Sequence, residues 1–161
     1  MNVVNLRFAE EKDMKSVLGL IQELADFEKE PEAVVVTEAD LKQDAFGDSP
    51  KFKCIVAEKE GTIVGMALFY PRYSTWKGPT LHLEDLIVTQ SERGTGLGKS
   101  LYTAFIDYAA SQKVRRIEWV VLDWNTHAVD FYEKSGANVL NDWCTVQMDE
   151  VAMQQYLAKE K

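Results

Sequence analysis

Leu81-His82-Leu83-Glu84-Asp85-Leu86-Ile87-Val88 leads, after four more residues, into Arg93-Gly94-Thr95-Gly96-Leu97-Gly98-Lys99-Ser100, and this stretch decides the fold. The first half is apolar and β-rich and reads as a strand. The second is a glycine turn that feeds a helical pattern from Leu101 to Ser111. Glycines let successive N–H groups curl into one concavity, and the helix N-terminus adds about half a positive charge there. Such a turn holds a phosphate or diphosphate without many basic side chains. Arg93 and Lys99 set two cations at its rim.

Upstream, Val3 to Phe8 reads as a first strand, and Met14, Val17, Leu18, Ile21 and Leu24 recur at helical spacing, with Asp13 as cap. Thr37 opens a second helix that ends near Phe46, with Gly47 as its C′ residue. Phe52 to Glu58 and Thr62 to Tyr70 form a hairpin across Lys59-Glu60-Gly61. Downstream come a strand from Ile117 to Leu122, a helix from Ala128 to Lys134 stopped at Gly136, a strand region from Val139 to Met148, and a helical tail. A hairpin combined with strand–helix–strand crossovers predicts an α/β chain with a mixed sheet and helices on both faces. With no repeat or Pro/Ser-rich linker, residues 1–161 read as a single domain.

A net charge of −8 disfavours nucleic acid, whose phosphates it repels, and favours a cationic ligand. No apolar run approaches the ~20 residues of a membrane span, and MNVVNLRFAEEKDM lacks the features of a signal peptide. The expectation is a cytoplasmic protein. Two cysteines make neither a disulfide framework nor a thiolate zinc site, and Cys54 sits in a strand-like run as a reduced, buried thiol. His82 and His127 are too few and too far apart for a metal site, so no metal is expected.

Three phosphate-binding patterns compete for the turn. A P-loop needs glycine where Arg93 stands, and a dinucleotide fingerprint needs glycine where Lys99 stands. The pattern [Q/R]-x-x-G-x-[G/A], the pyrophosphate loop of GNAT acetyltransferases, matches at every fixed position. A plain glycine-rich strand-to-helix turn has the same composition. The wider chain resembles the spermidine/spermine N1-acetyltransferase family, and most of all its thialysine N-ε-acetyltransferase branch. The matching segments are Leu24 to Lys29, Phe46 to Pro50, Tyr73 to Gly78, Leu83-Glu84-Asp85, Arg93 to Gly98, Leu122 to Asn125 and Phe131-Tyr132. They lie within roughly residues 5 to 148, in the family's order.

The resemblance implies a GNAT fold with a mixed, mostly antiparallel sheet, acetyl-CoA as donor without a metal, a small-molecule amine as acceptor, and a homodimer. It implies that the backbone of Leu86, Ile87 and Val88 pairs with pantetheine. Arg93, Gly94, Thr95, Gly96, Leu97, Gly98 and Lys99 would wrap the pyrophosphate, and Asn125, Thr126, His127 and Ala128 would flank the cofactor. Tyr132 would sit by the thioester sulfur, and Phe27, Glu28, Trp76 and Glu84 would line the amine site. Two features depart from some relatives. Lys59-Glu60-Gly61 replaces a long insertion, and Ser74-Thr75 stands before Trp76 where polyamine-specific members carry an acidic residue and proline. One carboxylate fewer favours the thialysine-like branch over a polyamine.

Amine attack on a thioester needs a neutral amine, and at a pKa near ~10.4 about one alkylamine in a thousand is neutral at pH 7. Glu84, on the strand entering the turn, is the candidate base, directly or through water. Strand alternation sends Asp85 to the opposite face and keeps His82 on the same one. The departing thiolate needs a proton, which Tyr132 can give, since a phenol near ~10 stays protonated at pH 7. Against this enzyme stands a second expectation, a non-catalytic acyl-CoA-binding module. A third, an NTPase, is disfavoured by Arg93.

Overall fold

Alternating apolar side chains build a five-stranded sheet in the order β1-β2-β3-β4-β5. The strands are β1 (Val4–Phe8), β2 (Lys53–Lys59), β3 (Thr62–Ser74), β4 (Gly78–Val88) and β5 (Ile117–Glu118). The structure, a computed structural model, describes residues 4–159, so the expected first residue of β1, Val3, lies outside the described residues. β1 to β4 are antiparallel neighbours and β5 joins β4 in parallel, the mixed sheet that the crossover pattern predicts. The chain divides into two compact units, Met1–Val120 and Val121–Lys161. The first holds the sheet with α1 (Met14–Phe27), α2 (Glu38–Phe46) and α3 (Leu97–Ser111); the second holds α4 (Thr126–Lys134) and α5 (Glu150–Lys159).

Each sheet face buries its own cluster. Phe69, Leu81, Leu83, Leu101 and Phe105 pack on the α3 side, with the Phe69 and Phe105 rings 5.0 Å apart. Met14, Val17, Leu20, Leu41, Val56, Met66 and Ile87 pack on the α1 and α2 side. Burying one such side chain contributes roughly 1.5–3 kcal/mol, so the two clusters fix where the rims of the sheet lie. Cys54 is a free, buried thiol in the second cluster, and burial pushes its pKa up and away from the reactive thiolate.

Several boundaries differ from the sequence reading. Asp13 precedes α1, but its carboxylate accepts from the Glu10 N–H at 2.7 Å and pairs with Arg7, so it caps the short 3₁₀ turn before the helix. Gly47 is not in the left-handed conformation of a C′ glycine: its φ is −70°. A Cβ there would stand 2.5 Å from the Gln43 carbonyl, so close approach explains the residue. β3 and β4 run through Pro71 and Pro79, where a break was expected. β2 reaches only to Phe69, so beyond it β3 is an edge strand and tolerates proline. β5 is two residues long rather than six. In the second unit, α4 ends at Lys134, with Ser135 as its cap and Gly136 next at φ 94°, as the glycine stop predicts. Val139 to Met148 forms no strand, and Trp143 and Val146 are 68% and 91% exposed. A strand needs a partner ladder, and none stands within that unit among the described residues.

Candidate functional site

The β3–β4 ladder contains one irregularity, and it falls on the predicted base. Leu68 pairs with Asp85 and Phe69 with Leu83, so Glu84 is an extra residue without a cross-strand partner. Such a bulge breaks the period of two. Asp85 therefore lies opposite Leu68, on the face of the α1 cluster, and Tyr70, two residues from Leu68, reaches Glu84 on that same face. The expectation that Asp85 points away from Glu84 is corrected: the bulge turns both carboxylates to the α1 side.

Around them the site is built from neighbours on β3, β4 and α1. The Tyr70 hydroxyl donates to Glu84 Oε2 at 2.9 Å, and His82 Nε2 lies 3.6 Å from the same oxygen. Tyr70 and His82 stack with centroids 5.2 Å apart, which places His82 on the Glu84 side as expected. Burial and the bond to Glu84 push the Tyr70 hydroxyl up to about 12. Burial, followed by the charges of Glu84 and Glu28, pushes the Asp85 carboxyl up to about 7. Burial and the Glu84 charge also raise Glu28, at the end of α1. The Glu84 charge acts on both Asp85 and Glu28, and three carboxylates gathered in this way form a field that attracts a cation. Glu84, with a side chain 50% exposed, and Glu28 are its open members, and Asp85 is the more enclosed one.

Strand β4 carries this cluster toward the glycine turn. Among the described residues β5 pairs with β4 only at Leu81 and His82, so the β4 edge from Leu83 through Leu86, Ile87 and Val88 has no strand on that side. At the turn, Gly94 and Gly96 adopt φ 77° and 87°, and a Cβ on either would meet no atom within 4 Å. The space beside the turn is open. Gly96 caps α3 with no side-chain bond, and the first helical bond runs from the Ser100 N–H to the Gly96 carbonyl at 3.1 Å. The N–H groups of Leu97, Gly98 and Lys99 therefore point ahead of the helix. This concavity fits a diphosphate, and Lys99 is exposed at its rim.

The turn is held from outside. The Thr95 hydroxyl donates to the Glu92 carbonyl at 2.7 Å, and Glu92 pairs with Lys59 Nζ at 2.7 Å. Arg93, expected as a rim cation, instead donates from Nε to the Val88 carbonyl and lies 3.7 Å from Glu23.

In the second unit, Asn125 caps α4 by accepting from the Ala128 N–H at 3.4 Å, which sets Thr126, His127 and Ala128 in its first turn. Tyr132 lies two turns on, edge-to-face with Phe131 at 5.5 Å. Within the first unit Phe27 and Glu28 sit together at the end of α1. Trp76 does not join them. It is 78% exposed in the turn between β3 and β4, and the six steps along the chain from Gly78 to Glu84 put about 20 Å of strand between it and the carboxylates. Sequence reasoning missed Asp85 and Tyr70, because a bulge has no composition signal of its own; it also missed Glu23, whose partners lie more than sixty residues away.

Comparison with known proteins bears on the chain as a whole. Residues 18–137 match the model of the acetyltransferase (GNAT) family. Thialysine N-epsilon-acetyltransferase of Bos taurus is 35% identical over 170 residues, covering 99% of this chain and 100% of its own length. An integron cassette protein from the mobile metagenome of V. cholerae superposes with a TM-score of 0.78 at 22% identity, over 97% of this chain and 98% of its own. An aminoglycoside N-acetyltransferase solved in complex with CoA superposes at 0.73 with 16% identity, over 92% and 96%.

Proposed function

Because this chain belongs to the acetyltransferase (GNAT) family, we propose that it transfers the acetyl group of acetyl-CoA directly to a small primary amine. A thialysine-like amino acid is the first candidate and a di- or polyamine the second. The observation that carries this reading is the meeting of Glu28, Glu84 and Asp85 at the β4 bulge, on the strand that leads to the open N–H concavity. An ammonium is recognised where carboxylates converge, and a diphosphate where main-chain N–H groups do.

Acetyl-CoA supplies the activated acetyl thioester. Gly94 to Lys99 hold its diphosphate with backbone N–H groups, and the free edge of Leu86, Ile87 and Val88 offers the backbone groups that pantetheine pairs with. Phe27 and Glu28 receive the amine. Its proton leaves toward Glu84 and Asp85. Glu84, half exposed, meets the ammonium first, directly or through water. Asp85, at about 7, changes its protonation in the working pH range, which suits a general base. The Tyr70 hydroxyl orients Glu84 by its hydrogen bond. Tyr132 protonates the departing thiolate, and Asn125 to Ala128 flank the cofactor; these roles rest on the family resemblance. Both units together make one catalytic domain. The exposed Trp143, Val146 and Met148 favour a homodimer as the working form, since such side chains gain by being covered. No described helix is long and apolar enough to cross a membrane, in keeping with a cytoplasmic enzyme.

Thiol release from acetyl-CoA, measured with thialysine, lysine, putrescine, spermidine and a glycine-rich peptide, tests the reading. Turnover is expected with thialysine foremost and not with the peptide. Tight acetyl-CoA binding with no thiol release across the amines would leave the non-catalytic module instead.

A further inference from the structure

Glu23 stands on α1 one turn before Phe27, outside both sites described above, yet its carboxylate makes three contacts with the segment that enters the glycine turn. Oε2 accepts from the Thr89 hydroxyl at 2.9 Å, Oε1 accepts from the Gln90 N–H at 2.8 Å, and Oε1 lies 3.7 Å from Arg93 Nη2. Arg93 closes the arrangement. Its Nε donates to the Val88 carbonyl at 3.2 Å, and its guanidinium lies 5.3 Å from the centroid of the Phe27 ring. Glu23 and Phe27 are four residues apart and share one face of the helix, so the guanidinium spans both.

We infer that Glu23 is a positioning residue that fastens the diphosphate turn to the helix carrying the acceptor-site residues Phe27 and Glu28, so that cofactor grip and amine binding are set by one latch. The inference rests on the proposed function, in that it takes residues 93–99 as the diphosphate site. A turn that grips through backbone N–H groups depends on where its backbone stands, and two bonds from one carboxylate fix the residues at its entrance. Arg93 in this arrangement acts through geometry: its charge faces Glu23, its Nε holds the end of β4, and its plane covers Phe27. A guanidinium makes these contacts together by its fork and flat face, which an ammonium lacks.

The latch and a simple phosphate clamp predict opposite signs. If Arg93 served the phosphates by charge, removing Glu23 would free it and tighten acetyl-CoA binding. With the latch, Glu23→Ala weakens acetyl-CoA binding by about tenfold, measured by calorimetry on the whole chain. KM for acetyl-CoA and for the amine rise together in that variant, while kcat at saturation stays within about threefold. Glu23→Gln, which can still accept from the Gln90 N–H and donate to the Thr89 hydroxyl, binds acetyl-CoA within about twofold of wild type. Unchanged or tighter binding by Glu23→Ala overturns the latch. Should Glu23→Ala fail to fold, Arg93→Lys decides: a loss as large as that of Arg93→Ala supports the latch, and retained affinity overturns it. Wild-type protein that binds no acetyl-CoA overturns the turn assignment itself, a different result from wild-type binding that Glu23→Ala leaves intact.

Discussion

Replacing Asp85 by asparagine removes a carboxyl that the fold holds near neutrality, and the consequence can be worked out before any activity is measured. The group titrates at about 7 in the folded chain against an ordinary 3.8, because burial and the charges of Glu84 and Glu28 disfavour its ionised form. A raised folded pKa means that the folded state keeps its proton longer than the unfolded one. Stability contributed by this group therefore falls as pH rises from 3.8 toward 7 and levels off above. Integrated, the penalty grows from about 0.5 kcal/mol at pH 4 to about 4 kcal/mol at pH 8. Asp85→Asn keeps the shape and cannot ionise. Urea unfolding of both proteins at pH 4, 5, 6, 7 and 8 should give a difference that widens steadily with pH, the variant being the more stable at pH 8. In parallel, the wild-type rise of kcat/KM with pH near 7 should disappear in the variant, along with most turnover. Two stability curves that run parallel from pH 4 to 8 would show that Asp85 ionises freely, and the argument that the bulge turns it inward beside Glu84 would fall with them.

Tyr132→Phe should lose most turnover while keeping acetyl-CoA affinity by calorimetry; unchanged thiol release refutes the acid role. Gly96→Val should abolish acetyl-CoA binding and cost about 1–2 kcal/mol of stability, because a β-branched residue resists φ 87° and its side chain enters the open space beside the turn. Wild-type affinity in that variant counts against the turn. Gly98→Ala is the contrast: its Cβ would meet only Val88 Cγ2 at 3.8 Å inside α3. It should raise stability by up to ~1 kcal/mol in the same urea assay.

What the sequence made legible was whatever repeats locally. The apolar spacing of α1 and the glycine turn entering α3 each state their geometry within a few residues; α1 stands where it was expected, and α3 begins at Leu97, four residues before the helix read from Leu101 and inside the stretch read as turn. Pro71 and Pro79 misled for a physical reason: a missing N–H matters only where a neighbouring strand asks for it, and β2 stops beside β3 at Phe69, while β5 pairs with β4 only at Leu81 and His82. Val139 to Met148 misled in the opposite direction. Its β-rich composition expresses a preference that only a partner edge can satisfy, and composition says nothing about whether that edge exists within the same unit.

The bulge shows most sharply why the chemistry was harder to read than the fold. Leu83-Glu84-Asp85-Leu86 read with unbroken alternation offers one inward carboxylate and one outward. With a single residue left unpaired at Glu84, the same four letters deliver both to one face, next to Tyr70, His82 and Glu28. A slip of one residue inverts every side chain beyond it. Leu86 and Val88 nevertheless end beside the α3 cluster and Ile87 beside the α1 cluster, so the bulge costs the core nothing and alters only the row where Glu84 and Asp85 meet. The hydrophobic pattern on either side is satisfied with the extra residue in place, which is why periodicity could find the strand and could not find the site.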